Sequence, residues 1–436
     1  MQDAKTIRIS LLGCGTVGGG VLRLLKQNSA YLASRVGAPL VVRKVLVRDP
    51  TKERDDACER GWVTTSAEEV LSDPELDVLV EVIGGEQDAG ALIERALRRG
   101  LGVVTANKLL LARRGPELLD LAVQQGTDLA FEASVGGGIP VIRTLREALT
   151  SDWVEQLHGI VNGTCNYMLT RMREDGWSFE QALREAQRLG YAEAEPSLDV
   201  DGHDAAQKLV VLAMLAFGAR VREDKVPTSG IRTLDADDHR FAARLGYRIK
   251  HLAVGRDHRD KVELRVHPAL VPEGDVLASV SGVLNAIRVE GRALGPCLLS
   301  GRGAGAMPTA VSVVADLVDV ARARLAGVAG LATRGIQMET REILPLQEVL
   351  SSFYLRFPVQ DRPGVLAGIA SALGAFGISI EQMFQTNPGK GLVDIIMTTH
   401  QARWGNLENA MRTIYNYDFI AGDIRFLPIL RDESAS

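Results

Sequence analysis

Apolar residues in the first third of the chain are concentrated in short runs at 7–12, 40–47 and 78–83, each interrupted by only one or two polar residues. Stretches such as 17–27 and 89–99, where they recur at helical spacing, separate and follow these runs. A short, predominantly apolar run reads as a buried strand, and strand alternating with helix predicts a doubly wound parallel sheet. Residues 103–105 and 129–132 supply further strands. From about 133 the pattern changes to helices at 139–150, 165–173, 178–189, 203–217 and 308–325, mixed with strands at 156–161 and 262–267. That mixture predicts an α+β domain. Residues 326–350 carry no strong period and read as a linker. Beyond them come a strand at 353–359, a turn at 361–364, a helix at 365–376, strands at 378–385 and 392–399, a helix from 406 and a strand at 419–427. The order β-α-β-β-α-β is that of a ferredoxin-like unit. The expected fold class is α/β, with domains at 1–132 (Rossmann-type), 133–325 (substrate and dimerisation, its last helix packing back on the first domain), 326–350 (linker) and 351–436 (ferredoxin-like).

Length agrees with several domains, since 436 residues exceed the roughly 250–300 that one core organises. A net charge of -5 leaves no electrostatic footprint for a phosphate backbone, which argues against nucleic acid as a partner. Cys14, Cys58, Cys165 and Cys297 show no C-x-x-C spacing, so neither a disulfide framework nor a zinc site is expected, and a reducing cytoplasm fits. No apolar stretch approaches the ~20 residues that cross a bilayer. The first strand begins almost at once, so no signal peptide is expected and the location expected is cytoplasmic.

Candidate chemistry starts at Gly13-Cys14-Gly15-Thr16-Val17-Gly18, a G-x-G-x-x-G segment between the first strand and the first helix. The glycines permit a tight turn and let a dinucleotide pyrophosphate approach the backbone at a helix N-terminus. Gly13, Gly15, Thr16, Val17 and Gly18 are therefore the expected cofactor cradle. At the end of the second strand an acid favours a ribose 2′-hydroxyl, whereas arginine accommodates a 2′-phosphate. Arg48 there favours NADP, while the adjacent Asp49 keeps NAD open.

Three further segments are polar or glycine-rich where packing alone does not ask for it. They are Ala106-Asn107-Lys108, the run from Glu132 through Gly136-Gly137-Gly138 to Pro140, and the acidic stretch from Tyr191 to Lys208. Asp204 and Lys208 stand four apart on one helix face, a spacing that by itself suits an ordinary ion pair of about 0.2–0.5 kcal/mol. Together with "GIVNGTCNYML" at 159–169 and "GRGAGAMPTA" at 301–310, the set resembles the homoserine dehydrogenase family over about residues 7–325.

That resemblance implies reduction of L-aspartate 4-semialdehyde to L-homoserine, in threonine, methionine and isoleucine biosynthesis. It assigns Lys208 as the general acid, Asp204 as its carboxylate neighbour and Lys108 as a lysine near both nicotinamide and substrate. It gives Glu193 and Asp199 the substrate ammonium. It places a monovalent cation, sodium, on backbone carbonyls of Glu132, Val135, Gly137 and Ile139, and brings Gly303 and Gly305 to the cofactor. The chemistry agrees: aldehyde reduction develops charge on oxygen that a nearby ammonium stabilises and protonates. His203 adjoins Asp204 on another helical face and reads as structural. A thioester route through Cys165 is the rival, although its surroundings supply no evident base.

Residues 353–430 resemble an ACT domain, chiefly through "DRPGVLAGIASALGAFGISI". This family binds amino acids near the turn occupied here by Asp361 to Gly364, usually between paired domains. The implied effector is threonine and the implied assembly a homodimer or homotetramer. A dimerising module without ligand stays open, as does a catalytically silent sensor, against which Lys108, Glu193, Asp204 and Lys208 speak.

Overall fold

The computed structural model describes residues 5–331, 333, 335–389 and 391–431. The strands expected from the sequence become β1 (Ile7–Leu12), β2 (Leu40–Leu46), β4 (Val78–Glu81), β5 (Gly102–Thr105) and β6 (Leu129–Ala130), and β3 (Val63–Thr64) is a further strand that the sequence did not announce. They form one parallel sheet in the order β3-β2-β1-β4-β5-β6. Every residue of β4 and β5 is buried, as a sheet covered on both faces requires. The strand order reverses between β1 and β4, and ligands of open α/β sheets bind in the crevice at such a switch point.

Two compact units are assembled from non-contiguous stretches. The first comprises residues to Gly163, Asp204–Lys225 and Leu284–Arg341; the second comprises Thr164–His203, Val226–Val283 and residues from Glu342 onward. In the first unit, helix Ala306–Leu325 packs on helix Thr16–Gln27. Gly20 makes the approach possible, because a Cβ there would stand 2.9 Å from the Ala306 carbonyl oxygen. The buried face of the long helix, including Val313, Leu317 and Ala321, joins the core of the parallel sheet. At about 1.5–3 kcal/mol per fully buried aliphatic side chain, that face fixes the returning helix. The same unit holds an antiparallel set of Val154–Ile160, Leu284–Gly291 and Gly295–Arg302.

In the second unit, Tyr247–Asp257 and Lys261–Pro272 form a long antiparallel hairpin. Strand Leu350–Gln360, helix Val365–Ala375, strands Ile380–Gly389 and Leu392–Thr399, helix Trp404–Tyr415 and strand Arg425–Ile429 complete the ferredoxin-like module. Leu350–Gln360 lies between Arg425–Ile429 and Leu392–Thr399, with Ile380–Gly389 outermost. Phe353, Leu355, Phe357 and Val359 pack against the module's helices, while Tyr354 faces a second cluster with Met168, Phe241, Ile249 and Leu270.

Several sequence expectations are corrected in detail. The helix expected at 139–150 is α-helical only over Val141–Arg143 and widens to a π turn over Thr144–Ala148. The Glu132 carboxylate explains where it starts, accepting from the N–H groups of Ile142 and Arg143 at 2.9 and 2.8 Å. The stretch read as a linker contains short strands, Glu339–Thr340 beside Ala219–Arg220 and Glu342–Ile343 beside Lys261–Val262. Two-residue ladders leave no periodicity in sequence. The last strand is Arg425–Ile429, because the expected 419–427 begins in a turn. Among the described residues no helix is long and apolar enough to cross a membrane.

Candidate active site

The glycine loop is built as its spacing predicts. Gly13 has φ +104°, and a Cβ on it would meet the Val82 carbonyl oxygen at 2.9 Å. A Cβ on Gly18 would stand 2.3 Å from the Gly13 oxygen, whereas Gly15 faces open space. Helix Thr16–Gln27 then begins with no side-chain cap and no acid in its first turn. Its first N–H groups have no intrahelical partner, so they offer donors to an anion. These features fit a dinucleotide pyrophosphate.

At the end of β2, Asp49 is engaged locally. Its carboxylate is turned onto its own loop, accepting from the Thr51 N–H at 2.8 Å and the Thr51 hydroxyl at 2.6 Å. Those bonds hold it below the usual carboxylate range. Arg54 also donates to backbone oxygens of this loop, including Lys52 at 2.5 Å. Arg48 is exposed beside it.

On the other side of the switch point, Asn107 caps helix Lys108–Gln125 by accepting from the Leu110 N–H, and donates to the Gly85 carbonyl at 2.7 Å. Lys108 therefore opens the helix at the C-terminal edge of the sheet. Its Nζ lies 3.3 Å from Oδ1 of Asp204. Lys208, one turn beyond Asp204 on helix His203–Ala216, places its Nζ 2.6 Å from Oδ2 and donates to the Val161 carbonyl at 2.7 Å. Asn162 donates to the same Oδ2 at 2.9 Å. Burial would raise the Asp204 carboxyl, but Lys208 and Lys108, with hydrogen bonds from Lys208 and Asn162, outweigh it and hold it at about 2. It is ionised across the physiological range. One carboxylate between two ammonium groups leaves a net positive charge, suited to an oxygen on which negative charge develops.

The Val161 carbonyl links this triad to the glycine-rich segments. Asn285 donates to it at 2.8 Å, and Gly303 lies so close to Asn285 that a Cβ would overlap its amide at 2.0 Å. A Cβ on Gly137 would meet the Gly303 oxygen at 2.6 Å. The Gly137 carbonyl accepts from the Ser312 hydroxyl at 2.6 Å, and the Ile139 carbonyl from the Val141 N–H at 2.8 Å. Each retains a second lone pair. Gly136 and Gly137 both have positive φ. Gly305, also at positive φ, is the N-cap of helix Ala306–Leu325.

Glu193 and Asp199 belong to the second unit, as do Asp361 and Gly364. Glu193 is exposed in the turn after helix Phe179–Arg188, and its carbonyl accepts from Gln187 at 3.0 Å. Asp199 is half-buried in the short helix Ser197–Val200. The Cys165 thiol is fully buried and donates to the Asp199 carbonyl at 3.2 Å. Asp361 is exposed, and Gly364, at φ +91°, caps helix Val365–Ala375.

Sequence reasoning missed Asn162, Asn285, Glu81, Ser312 and Asp316. Glu81 is completely buried and accepts from the N–H groups of Ile83 and Gly84 and the Thr105 hydroxyl, tying β4 to β5. Asp316 accepts from the Glu132 N–H at 2.7 Å, and burial with the nearby Glu132 raises its carboxyl to about 7. Asn162 stood inside a quoted segment and offered a signal; the others offered none.

Residues 140–318 match the homoserine dehydrogenase family model, residues 13–132 that of the homoserine dehydrogenase NAD-binding domain, and residues 353–414 that of the ACT domain. A homoserine dehydrogenase of Pseudomonas aeruginosa is 42% identical over 428 residues, covering 96% of this chain and 98% of the relative. A solved homoserine dehydrogenase from Thiobacillus denitrificans matches with a TM-score of 0.92 at 43% identity, covering 98% of both chains. A hyperthermophilic archaeal homoserine dehydrogenase solved in complex with NADPH matches with a TM-score of 0.61 at 27% identity, covering 72% of this chain and 98% of its own.

Proposed function

The chain belongs to the homoserine dehydrogenase family, an oxidoreductase family with a nicotinamide cofactor, and from that premise we propose the finer reading. It reduces L-aspartate 4-semialdehyde to L-homoserine in the cytoplasm, toward threonine, methionine and isoleucine, with NADP preferred to NAD. The observation that carries the reading is the Lys108–Asp204–Lys208 triad, whose Lys108 follows β5 of the parallel sheet.

Reduced NADP, when bound, supplies the hydride. Gly13, Gly15, Thr16, Val17 and Gly18 hold its pyrophosphate, Gly303 approaches it, and Arg48 takes the 2′-phosphate while Asp49 is occupied with Thr51. Lys208 spends two donors on Asp204 and Val161, which leaves the third of its ammonium for the substrate oxygen. It is the general acid that protonates the nascent alkoxide. Lys108 contributes a second positive charge, and Asp204 fixes both lysines. Glu193 and Asp199 take the substrate ammonium. Carbonyls of Glu132, Val135, Gly137 and Ile139 hold a sodium ion, a hard cation that takes oxygen ligands. The functional division follows 1–132 for cofactor, 133–325 for substrate and dimerisation, and 351–436 for regulation beyond a connector at 326–350. L-threonine binds at the Asp361–Gly364 turn and inhibits, in a homodimer or homotetramer.

Purified chain is expected to generate the absorbance band of reduced nicotinamide from L-homoserine with NADP. The rate with NAD is expected to be lower at equal subsaturating cofactor. No turnover with either cofactor would refute the reading.

A further inference from the structure

Strand Lys261–Pro272 pairs along its whole length with Tyr247–Asp257, but its other edge is paired only near its ends. Lys261 and Val262 meet Glu342 and Ile343, and Leu270 meets Ile429 of strand Arg425–Ile429. Between those points, among the described residues, the edge is spanned by the 227–229 segment. The Val266 N–H donates to Pro227 at 2.9 Å and the Ser229 N–H to Val266 at 2.8 Å. Where the two strands part, a cleft of about 490 Å³ opens, walled by residues of both strands, by the 227–233 segment, and by Leu346 and Trp404. All of it lies within the second unit. Ligand sites run to about 300–1,000 Å³ and combine an apolar wall with a few convergent polar groups.

The wall has that composition. Trp404, Phe426 and Leu346 supply apolar surface, and Thr228, Ser229 and Thr233 supply hydroxyls. Among the described residues its ionisable side chains are Arg265, His267 and Arg425, and no acidic side chain lines it. Arg265 is buried and held in place: its Nε donates to Glu263 at 2.7 Å and its Nη1 meets Nε2 of His267. Nδ1 of His267 lies 3.1 Å from the Pro268 carbonyl, so it carries the proton and Nε2 accepts from Arg265. Burial, then Arg265, keeps that imidazole well below its usual range, hence neutral. Arg425 has Asp423 at 3.6 Å, and that aspartate is largely exposed, a pairing worth little in water. A guanidinium beside an apolar wall favours a carboxylate with an apolar body. The missing acid leaves an ammonium without a partner, which disfavours an α-amino acid and separates this site from the Asp361–Gly364 turn.

We propose that this cleft is a second ligand site, taking a small carboxylate with an apolar body, its carboxylate on Arg425 and its body against Trp404, Phe426 and Leu346. The site is joined to the acidic stretch carrying Asp199. The Ile231 N–H donates to Val200 at 2.9 Å, Arg232 binds Asp201 through two nitrogens at 2.5 and 3.1 Å, and a Cβ on Gly230 would overlap the Val200 oxygen at 2.0 Å. A ligand that fixes one end of the 227–233 segment therefore restrains the 197–201 turn at the other. Only the significance of that restraint for substrate binding rests on the dehydrogenase reading; ligand binding does not.

The test is calorimetric titration of the full chain with 3-phenylpropanoate and with its uncharged amide. The acid is expected to bind saturably at one site per chain, and the amide at least about tenfold more weakly, a difference of 1.4 kcal/mol. Arg425→Gln is expected to cause a similar loss for the acid. Thr233→Trp, at an exposed position that fills the cleft without disturbing the core, is expected to block it. Hydrogen exchange at the Ile231 amide is expected to slow on binding. Absent binding, equal affinity for the amide, or undiminished binding in Thr233→Trp overturns the site. Unchanged Ile231 exchange at saturation overturns the link to Asp199. Because no readout is turnover, an inactive dehydrogenase leaves the result interpretable.

Discussion

Lys208 and Asp204 were legible because they share a helix face inside a recognisable segment, but their spacing alone described an ordinary surface pair. The structure adds what spacing cannot: Asp204 is 5% exposed and serves two lysines at once. Lys208→Ala is expected to lower kcat by about 10²–10⁴, the usual yield of a general acid, with KM for NADP nearly unchanged. Steady-state kinetics of the folded variant decide this, and unchanged turnover would remove Lys208 from its role. Asn162 stood inside a quoted segment, but Asn285 was illegible, because nothing in a sequence distinguishes an asparagine that orients a charge from one on the surface. Asn162 donates to a buried carboxylate, a bond worth about 1.5–3 kcal/mol. At Arg48 the expectation is separable: Arg48→Gln should raise KM for NADP about tenfold by removing one charge-assisted contact, while KM for NAD stays level. Equal effects on both cofactors would mean that Arg48 does not read the 2′-phosphate.

Helix Ala306–Leu325 was anticipated as an element, but not as a clasp. Ser312 and Asp316 are one turn apart and hold the two ends of the glycine-rich run, through the Gly137 carbonyl and the Glu132 N–H. Both partners lie more than 170 residues away in sequence, so no local pattern reports them. The clasp also makes stability depend on pH. Asp316 is raised to about 7 by burial and then by Glu132, far above an unfolded aspartate near 3.8. Between those values the folded state keeps a proton that the unfolded state has released. Its stabilising contribution is therefore complete below about pH 4 and lost as pH rises to about 7, at most about 4 kcal/mol. Asp316→Asn keeps an oxygen for the Glu132 N–H and carries no ionisable proton. Its Tm relative to the parent chain is expected to rise between pH 5 and pH 8, by a few degrees, in thermal scans. A constant difference across that range would contradict the assignment.

At the scale of the whole molecule, the order of elements was legible and the assembly from discontinuous stretches was not. Runs such as β4 are buried on both faces and announce themselves, whereas Gly295–Arg302 alternates half-buried and exposed residues around a proline and escaped notice. The C-terminal module illustrates the consequence. Read along the chain it is a bead after a linker, yet its central strand has two occupied faces. Phe353, Leu355 and Phe357 fill the module's own core, while Tyr354 packs with Phe241 and Ile249. Beside Tyr354, Arg356 binds Asp235 at 2.9 Å, Asp238 at 3.2 Å and Asp394 at 3.2 Å. Asp238 has no exposed surface, and burial followed by Asp235 already raises its carboxyl against the pull of Arg356. Removing one partner of a buried charge cluster costs about 3–5 kcal/mol, because the remaining charge stays desolvated. Arg356→Met, close in length and without charge, is therefore expected to lower Tm by several degrees at pH 8. The loss should shrink as the pH falls, because burial and Asp235 already favour the protonated form of Asp238, which no longer needs the guanidinium. Cutting the chain before residue 350 goes further, since it uncovers Phe241, Ile249 and Leu270 together, and the shortened chain is expected to aggregate and bind a hydrophobic dye. A monodisperse truncated chain with the parent Tm would show that the module is a bead after all. If both variants behave as expected, the ACT module is a structural part of the unit that carries Glu193 and Asp199.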